Sequence, residues 1–360
     1  MTVASPPTQG MGQEPSTPLV SVVILNYNGE RWLRRCLASL KEQTIFSRIE
    51  IIIADNASSD GSDRLAGQLI AGWPNAVFVQ NGGNLGYCEG NNRGARVARG
   101  KDLFFLNNDT WLEPDCLEKL LAGVESAGAG AANPLVLDYE DDHHQSLGAT
   151  GFDWFGIPDA TPPGDVSREI FAACGAAYLI NANLFRCIGG FDQEFFLYCD
   201  ETDLSWRVWI AGHRVVAVPA ARMHHRGAAA VNPRGGTRIV ESRTSHTKRF
   251  FANRNGILFL AKNAQHLLLM LLLPHLLLLL AEALAALVLT RDPAFVRPAY
   301  LGALREAWRL RGHVVAERRR IAAFRERGDF WMLRFLRGRP SRWADVQRLR
   351  QTGVPIVDQR

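Results

Sequence analysis

A chain of 360 residues, 47% hydrophobic and 21% charged, has room for one large domain and an appendage, and this ordinary globular composition excludes a disordered protein. The net charge of +5 hides an asymmetry: from Arg291 onwards 17 arginines against 7 acids give +10, so the preceding 290 residues carry −5. A basic tail on an acidic body implies an anionic partner, a membrane surface or a nucleic acid. The six cysteines, at 36, 88, 116, 174, 187 and 199, form no CxxC pair and no metal-ligand spacing, which points to reduced thiols.

Residues 1–18 are rich in Pro, Thr, Ser and Gly, carry one charge at Glu14, and lack the basic start and apolar core of a signal peptide. A disordered leader is expected there, with the globular part on the cytoplasmic side. Val20–Asn26 reads as a strand from its β-branched apolar run, and Trp32, Leu33, Cys36, Leu37 and Leu40 recur at the spacing of an amphipathic helix over Glu30–Glu42. Then come a strand at Glu50–Asp55, a helix at Asp63–Ala71, a short strand at Ala76–Gln80 and a helix at Leu85–Arg99. A strand at Leu103–Asn107 and a helix at Pro114–Glu125 follow. Strands alternating with helices give βαβ units and a mainly parallel sheet: an α/β fold.

The rhythm breaks at Asp138–Asp165, which is polar and rich in Pro and Gly and reads as a long excursion over the site. Ile170–Ile180 resumes apolar character, followed by a short helix at Ala182–Cys187, a turn at Ile188–Asp192, a helix at Glu201–Ala211 and a strand at Val215–Val218. Leu267–Leu289 is almost unbroken Leu and Ala, interrupted by Pro274, His275 and Glu282. Its length suffices to span a bilayer. Against that, an ionised group inside costs about 2–3 kcal/mol or more, and the proline is expected to kink the helix. A broken hairpin or an interfacial helix pair fits the sequence as well as a span. The Arg-rich stretch beyond, with Trp308, Phe324, Phe330, Trp331 and Phe335, suits an amphipathic segment lying on a membrane. The domain reading is a leader (1–18), a catalytic-type domain (19–255) and a membrane-associated helical tail (256–360).

Four polar clusters follow apolar runs. Leu103–Leu106 stops on Asn107, Asn108 and Asp109, and in open α/β sheets ligands bind beyond the carboxyl ends of strands. Asp109 is placed where a divalent cation could join protein and diphosphate; the competing reading is a cap for the next helix. Asn26, Tyr27 and Asn28 end the first strand and Asp55 the second, an arrangement suited to a nucleotide, whereas Asp60–Ser62 is turn chemistry. Gly82–Tyr87 with Asn84, Gly86 and Asn91 is a Gly-rich loop entering a helix, able to approach phosphate. Asp200, Glu201 and Asp203 crowd three carboxylates into four residues after an apolar lead-in, and one of them suits a general base. In Met223-His224-His225, one histidine is expected to face the site, and His224 is favoured.

The series VSVVILNYNG, IIIADNASSDGS, NGGNLGYCEGNNRG, LFFLNNDT, GGFDQEFFLYCDETDLSWR and the late MHH, in this order, resembles family 2 glycosyltransferases of the GT-A fold, nearest to the bacterial rhamnosyltransferase-like branch. The resemblance covers roughly Val20 to Gly227. It implies an inverting transfer from a nucleotide-diphosphate sugar, dTDP-rhamnose or a UDP-sugar, to a glycan or polyprenyl-linked acceptor at the cytoplasmic face of the cell membrane. Asp109 then matches the last acid of the metal-binding DxD-type motif, with Asn107 in place of the first, and the cation would be Mg²⁺ or Mn²⁺. Asn26, Tyr27, Asn28, Asp55, Asn84, Gly86, Asn91, Asn107 and Asn108 fall on the donor side. Asp192 and Asp203 fall on the acceptor side, and His224 matches a histidine completing the metal site. Asp200-Glu201 matches the acidic pair holding the base, in swapped order, with Glu201 in the base position and Asp200 the alternative. No nucleic acid is implied. A sugar nucleotidyltransferase lacks its expected Gly-rich, Arg/Lys-bearing loop after the first strand. A non-catalytic membrane or nucleic-acid binding protein would leave Asp109, Asp200 and Glu201 without a role.

Overall fold

The computed structural model describes residues 17–227, 243–338 and 356–358, so nearly all of the expected leader lies outside the described residues. Strands β1 (Val20–Asn26) and β2 (Ile49–Asp55) are buried along almost their whole length. That is why they read as unbroken apolar runs: a parallel strand covered on both faces has no solvent side. Helices α1 (Glu30–Lys41) and α2 (Ser62–Leu69) make the crossovers to β2 and to β3 (Ala76–Gln80). Next, α3 (Gly86–Val97) leads into β4 (Asp102–Asn107), and a three-residue strand β5 (Thr110–Leu112) precedes α4 (Cys116–Ala127).

After β6 (Ala131–Asp138), the stretch read as an excursion holds short strands β7 (His144–Ser146), β8 (Ala149–Phe152) and β9 (Pro158–Ala160), with β10 (Arg168–Glu169) just beyond. The domain continues with β11 (Ala177–Asn181), α5 (Ala182–Cys187), α6 (Asp200–Ile210) and β12 (Val215–His225). The main sheet runs β10-β12-β6-β11-β4-β1-β2-β3. β1 to β4 are parallel, and β11 lies antiparallel between β4 and β6.

Strand β12 is longer than the four residues expected. Pro219 cannot donate to a ladder, and the register against β6 shifts between Val218 and Arg222. Beyond the irregularity the strand resumes and also takes β5 as an antiparallel partner, with Thr110 opposite His225 and Trp111 opposite His224.

A short strand β13 (Arg243–Ser245) enters α7 (His246–Asn263), so the expected boundary at 255/256 falls inside a helix. Leu258, Phe259 and Leu260 of α7 share one buried cluster with Phe152, Phe171, Trp206 and Trp209. A 3₁₀ turn at Leu268–Leu271 hands over to α8 (Leu272–Thr290). Pro274 is the third residue of α8, where its missing N–H costs no intrahelical bond, so the helix runs on unbroken. Then follow α9 (Pro293–Val296), a π-helical segment at Arg297–Gly302, α10 (Ala303–Arg309), α11 (Arg311–Phe324), α12 (Asp329–Met332) and β14 (Ile356–Asp358). The aromatics expected on a membrane divide: Trp331 and Phe335 pack on Trp209 at ring-centroid distances of 5.3 and 4.8 Å, and Phe324 lies against the core, while Trp308 and Phe330 stay exposed.

Candidate active site

Register alone brings the polar strand ends together: Asn26 is level with Asp55, Asp55 with Gln80, and Leu25 with Asn107. Asn26 is the hub. Its amide donates to Asp55 at 2.7 Å and Ser62 at 2.9 Å, and its oxygen accepts from Asn108 at 2.9 Å. Asp55 is fully buried, and its carboxylate also accepts from the Ser58 hydroxyl at 2.6 Å, the Ser58 N–H at 3.0 Å and Gln80 at 3.0 Å. With both oxygens occupied, Asp55 shapes the loop rather than presenting a free carboxylate to the cleft. Asn28, at φ +52°, accepts from the Ser59 N–H at 2.8 Å and leaves Tyr27 half exposed on the rim.

The Gly-rich loop turns inward. Gly86 has φ +72°, and a Cβ there would meet the Phe196 ring and carbonyl oxygen at 2.5 Å; that oxygen accepts the Tyr87 N–H at 2.6 Å. The close approach that requires glycine is therefore to the segment before the acid pair. Gly82 and Gly83 face open space, Asn84 is exposed and accepts the Gly86 N–H at 3.1 Å, and Asn91 is buried with its amide on the Tyr87 carbonyl at 3.0 Å.

The structure corrects the choice of histidine. His225, opposite Thr110, sets its Nε2 3.4 Å from Asp109 Oδ1 and 3.5 Å from the Asn107 amide. His224 faces the other way: its ring stacks on Trp111 at 3.7 Å and 2°, and Nδ1 bonds the Asp138 carbonyl at 2.8 Å. Alternation along a strand allows only one of two neighbours on the site face, and the β5 pairing selects His225. Gln145 from the excursion takes His225 Nδ1 at 2.7 Å through its amide oxygen, which leaves the Nε2 lone pair towards Asp109. Nothing in the sequence marks Gln145.

One carboxylate and one imidazole make the donor set, and among the described residues no third His, Cys, Asp or Glu completes a metal-binding group with them. Mg²⁺ binds through one or two carboxylates plus substrate phosphates and water. The pair therefore fits a cation shared with a diphosphate, not a closed cage.

The acid pair stands one strand away. Asn107 N–H donates to the Ala176 carbonyl at 3.1 Å, and a Cβ on the preceding Gly175 would be 3.6 Å from the Glu201 carboxyl. Burial lifts the Glu201 carboxyl above its usual range, and lifts Asp200 well above it with the Glu201 charge adding. Glu201 keeps some solvent access, whereas Asp200 is buried. The lead-in is strained, with Phe196, Tyr198 and Cys199 at φ +60°, +71° and +61°. It is pinned from α7: the buried Asn255 amide reaches the carbonyls of Phe195, Leu197 and Tyr198 at 2.9, 2.8 and 2.8 Å, and Arg254 bonds the Phe195 carbonyl at 3.1 Å. The run Asn253-Arg254-Asn255 inside an apolar helix is the signal that could have revealed this.

Asp192 and Asp203, expected on the acceptor side, are partners in a buried charge network. Lys262 bridges both, at 3.0 Å to Asp203; Asp203 also holds Arg207 at 2.7 Å and Asn263 at 2.7 Å. His313 of α11 bonds Asp192 at 2.9 Å. Burial alone would raise the Asp192 carboxyl, but Lys262 and His313 hold it well below the usual carboxylate range, and Asp192 in turn raises His313.

A cavity of about 550 Å³ lined by Leu19, Lys101, Asp102, Gly130 and His213 opens at the amino ends of the parallel strands. It lies at the end opposite the polar cluster.

The family model described as Glycosyl transferase family 2 matches residues 21–189. The N-acetylglucosaminyl-diphospho-decaprenol L-rhamnosyltransferase of Mycobacterium tuberculosis is 28% identical over 244 residues, covering 58% of this chain and 77% of that protein. EpsH of Bacillus subtilis is 39% identical over 112 residues, and there the match covers only 32% of the relative's length. Among solved structures, S. aureus TarS 1–349 superposes with a TM-score of 0.55 at 14% identity over 85% of this chain and 88% of that one. GalNAc-T7 with UDP, GalNAc and Mn²⁺ gives 0.51 at 20% identity over 57% of this chain and 42% of that one. Residues 21–189 thus match the model of glycosyl transferase family 2, and the chain has the GT-A fold.

Proposed function

We propose that this chain is an inverting glycosyltransferase of cell-envelope polysaccharide synthesis. It moves a sugar, rhamnose first among the candidates, from a nucleotide-diphosphate donor to a hydroxyl of a glycan or polyprenyl-linked saccharide at the cytoplasmic membrane face. The observation that carries the reading is the pairing of Asp109 with His225 beyond the end of β4, with Glu201 of the acid pair beside Gly175, next to Ala176 that bonds Asn107. The acceptor class is supported by the name of the mycobacterial relative, whose substrate is a decaprenyl diphosphate sugar.

Asp109 and His225 would hold Mg²⁺ or Mn²⁺, which when bound neutralises charge on a departing diphosphate. Asn107 and Asn108, partly exposed beside them, and the rim residues Tyr27, Asn28 and Asn84 have surface to offer a donor. Asn26, Asp55, Gly86 and Asn91 act by building the floor. Glu201 takes the proton from the acceptor hydroxyl as that oxygen bonds the anomeric carbon, on the face opposite the breaking bond to diphosphate. Its raised pKa brings it closer to neutral pH, where general-base help is worth about 10²–10⁴-fold.

The test is a thermal-shift panel of dTDP-rhamnose and UDP-sugars, with Mn²⁺ or EDTA, on the wild type and Asp109→Ala. A donor at about 100 times its dissociation constant stabilises by roughly 2.7 kcal/mol. A metal-dependent shift lost in Asp109→Ala is expected; no shift with any donor on folded protein would overturn the reading.

A further inference from the structure

Helix α8 is built inside out for a protein surface. Six of its nine covered positions, His275, Leu279, Glu282, Ala283, Ala286 and Thr290, recur at helical spacing from His275 onwards and include its three polar side chains. His275 is buried, with Nδ1 on the Phe155 carbonyl at 2.7 Å, and Ala283 and Ala286 pack on the cluster of Phe295, Val296, Ala299 and Tyr300. The outward face carries Leu273, Leu276, Leu277, Leu280, Leu284 and Leu287 among its ten exposed positions, every one of them Leu, Ala or Val. A water-facing helix shows the reverse arrangement.

Three observations choose the occupant. Over Leu268–Thr290 only 17% of the most apolar window is buried, and the exposed face from Leu273 to Leu289 makes a continuous apolar strip about 24 Å long at 1.5 Å per residue. The strip offers no donor or acceptor, whereas a protein interface of this size carries hydrogen bonds and a polar rim. Beyond it, Arg291, Arg297, Arg305, Arg309 and Arg311 are exposed, with Leu301 and Trp308 between them, which suits anionic headgroups. Since α8 is held side-on against the protein from His275 to Thr290, it cannot also be ringed by lipid as a spanning helix is.

We propose that α8 is a monotopic membrane-docking element: it lies in the plane of an anionic bilayer, outward leucines in the acyl boundary and inner stripe on the protein. The proposal deepens the membrane location of the proposed function and rests on it.

The test uses the full-length protein with vesicles of phosphatidylglycerol and phosphatidylcholine. In a Cys187→Ser background, spin labels at Leu273→Cys, Leu280→Cys and Leu287→Cys report depth. An in-plane helix gives all three one shallow depth, about 5–10 Å below the headgroups. A maximum at position 280 with shallow ends means a span, and labels shielded without lipid in a concentration-dependent dimer mean a second copy; either overturns the proposal. Leu277→Glu/Leu280→Glu/Leu284→Glu should lower vesicle binding by more than about a hundredfold while leaving the melting temperature and lipid-free donor binding unchanged. Retained vesicle binding would also overturn it. Donor binding is read without vesicles and vesicle binding without donor, so failure of the transferase reading and failure of this one are separable.

Discussion

Replacing Lys262 by methionine tests whether the charge network beneath the acid helix holds the domain and the tail helices together. The ammonium is fully buried between Asp192 and Asp203 and sits 4.8 Å from the Phe195 ring centroid. Without it, Asp203 keeps Arg207 and Asn263, but Asp192 keeps only His313 and the Glu194 N–H at 3.1 Å. Breaking a buried pair costs about 3–5 kcal/mol, and Arg207 softens the loss at Asp203, so about 3 kcal/mol is expected. The pH dependence follows from the two shifts. Asp192 has a depressed folded pKa, so its contribution is present above the unfolded value of about 3.9 and is lost as pH falls towards the folded one. His313 has a raised pKa, so its contribution is present below about 6.5 and is lost as pH rises through its folded value. In Lys262→Met only protonated His313 remains to neutralise Asp192. The melting-temperature deficit should be roughly 5–10 °C near pH 9 and smaller near pH 6. Scanning calorimetry at both pH values decides: equal deficits, or a larger one at the acid value, would refute the reasoning.

His225→Ala should weaken Mn²⁺-dependent donor binding, and Gln145→Ala should do so by about 10–100-fold, while His224→Ala should lower stability through the lost Trp111 stack and spare the metal dependence; titration calorimetry with and without EDTA separates them. Glu201→Gln should cut turnover about 10²–10⁴-fold with donor affinity kept. The acid limb of its wild-type pH–rate profile should lie above the ordinary glutamate value of about 4.3, because burial raises that carboxyl. Asn255→Ala removes the amide from the Leu197 and Tyr198 carbonyls of a strained loop, Phe195 keeping Arg254, and kcat should fall more than donor KM rises; an unchanged kcat would show that the loop holds itself.

The first half of the fold is legible in the sequence because β1, β2 and β4 are covered on both faces and so read as largely apolar runs. β1 and β3 begin and end where the sequence reading sets them. Choosing between two adjacent histidines was beyond it. That choice depends on the register of β12 against β5, more than a hundred residues earlier, and Pro219 disguises β12 as two pieces. The partners of Asp55 and Asp203 are hidden from the sequence for the same reason: Gln80, Lys262 and Asn263 become their neighbours only in three dimensions. Lys262 and His313 are invisible for a second reason: their stretches look like tail, and composition does not reveal which side of a helix faces inward.

Helix α7 carries Arg254 and Asn255 on the loop before the acid pair, Gly256 against His275 of α8, and Lys262 and Asn263 on the network two turns later. This single rod makes the chain non-modular. Exchanging the helices after residue 255 for others would also discard groups that hold the network beneath the acid helix. The two parts are bound to vary together, and a fragment cut at that point would lack Lys262, Asn263 and His313.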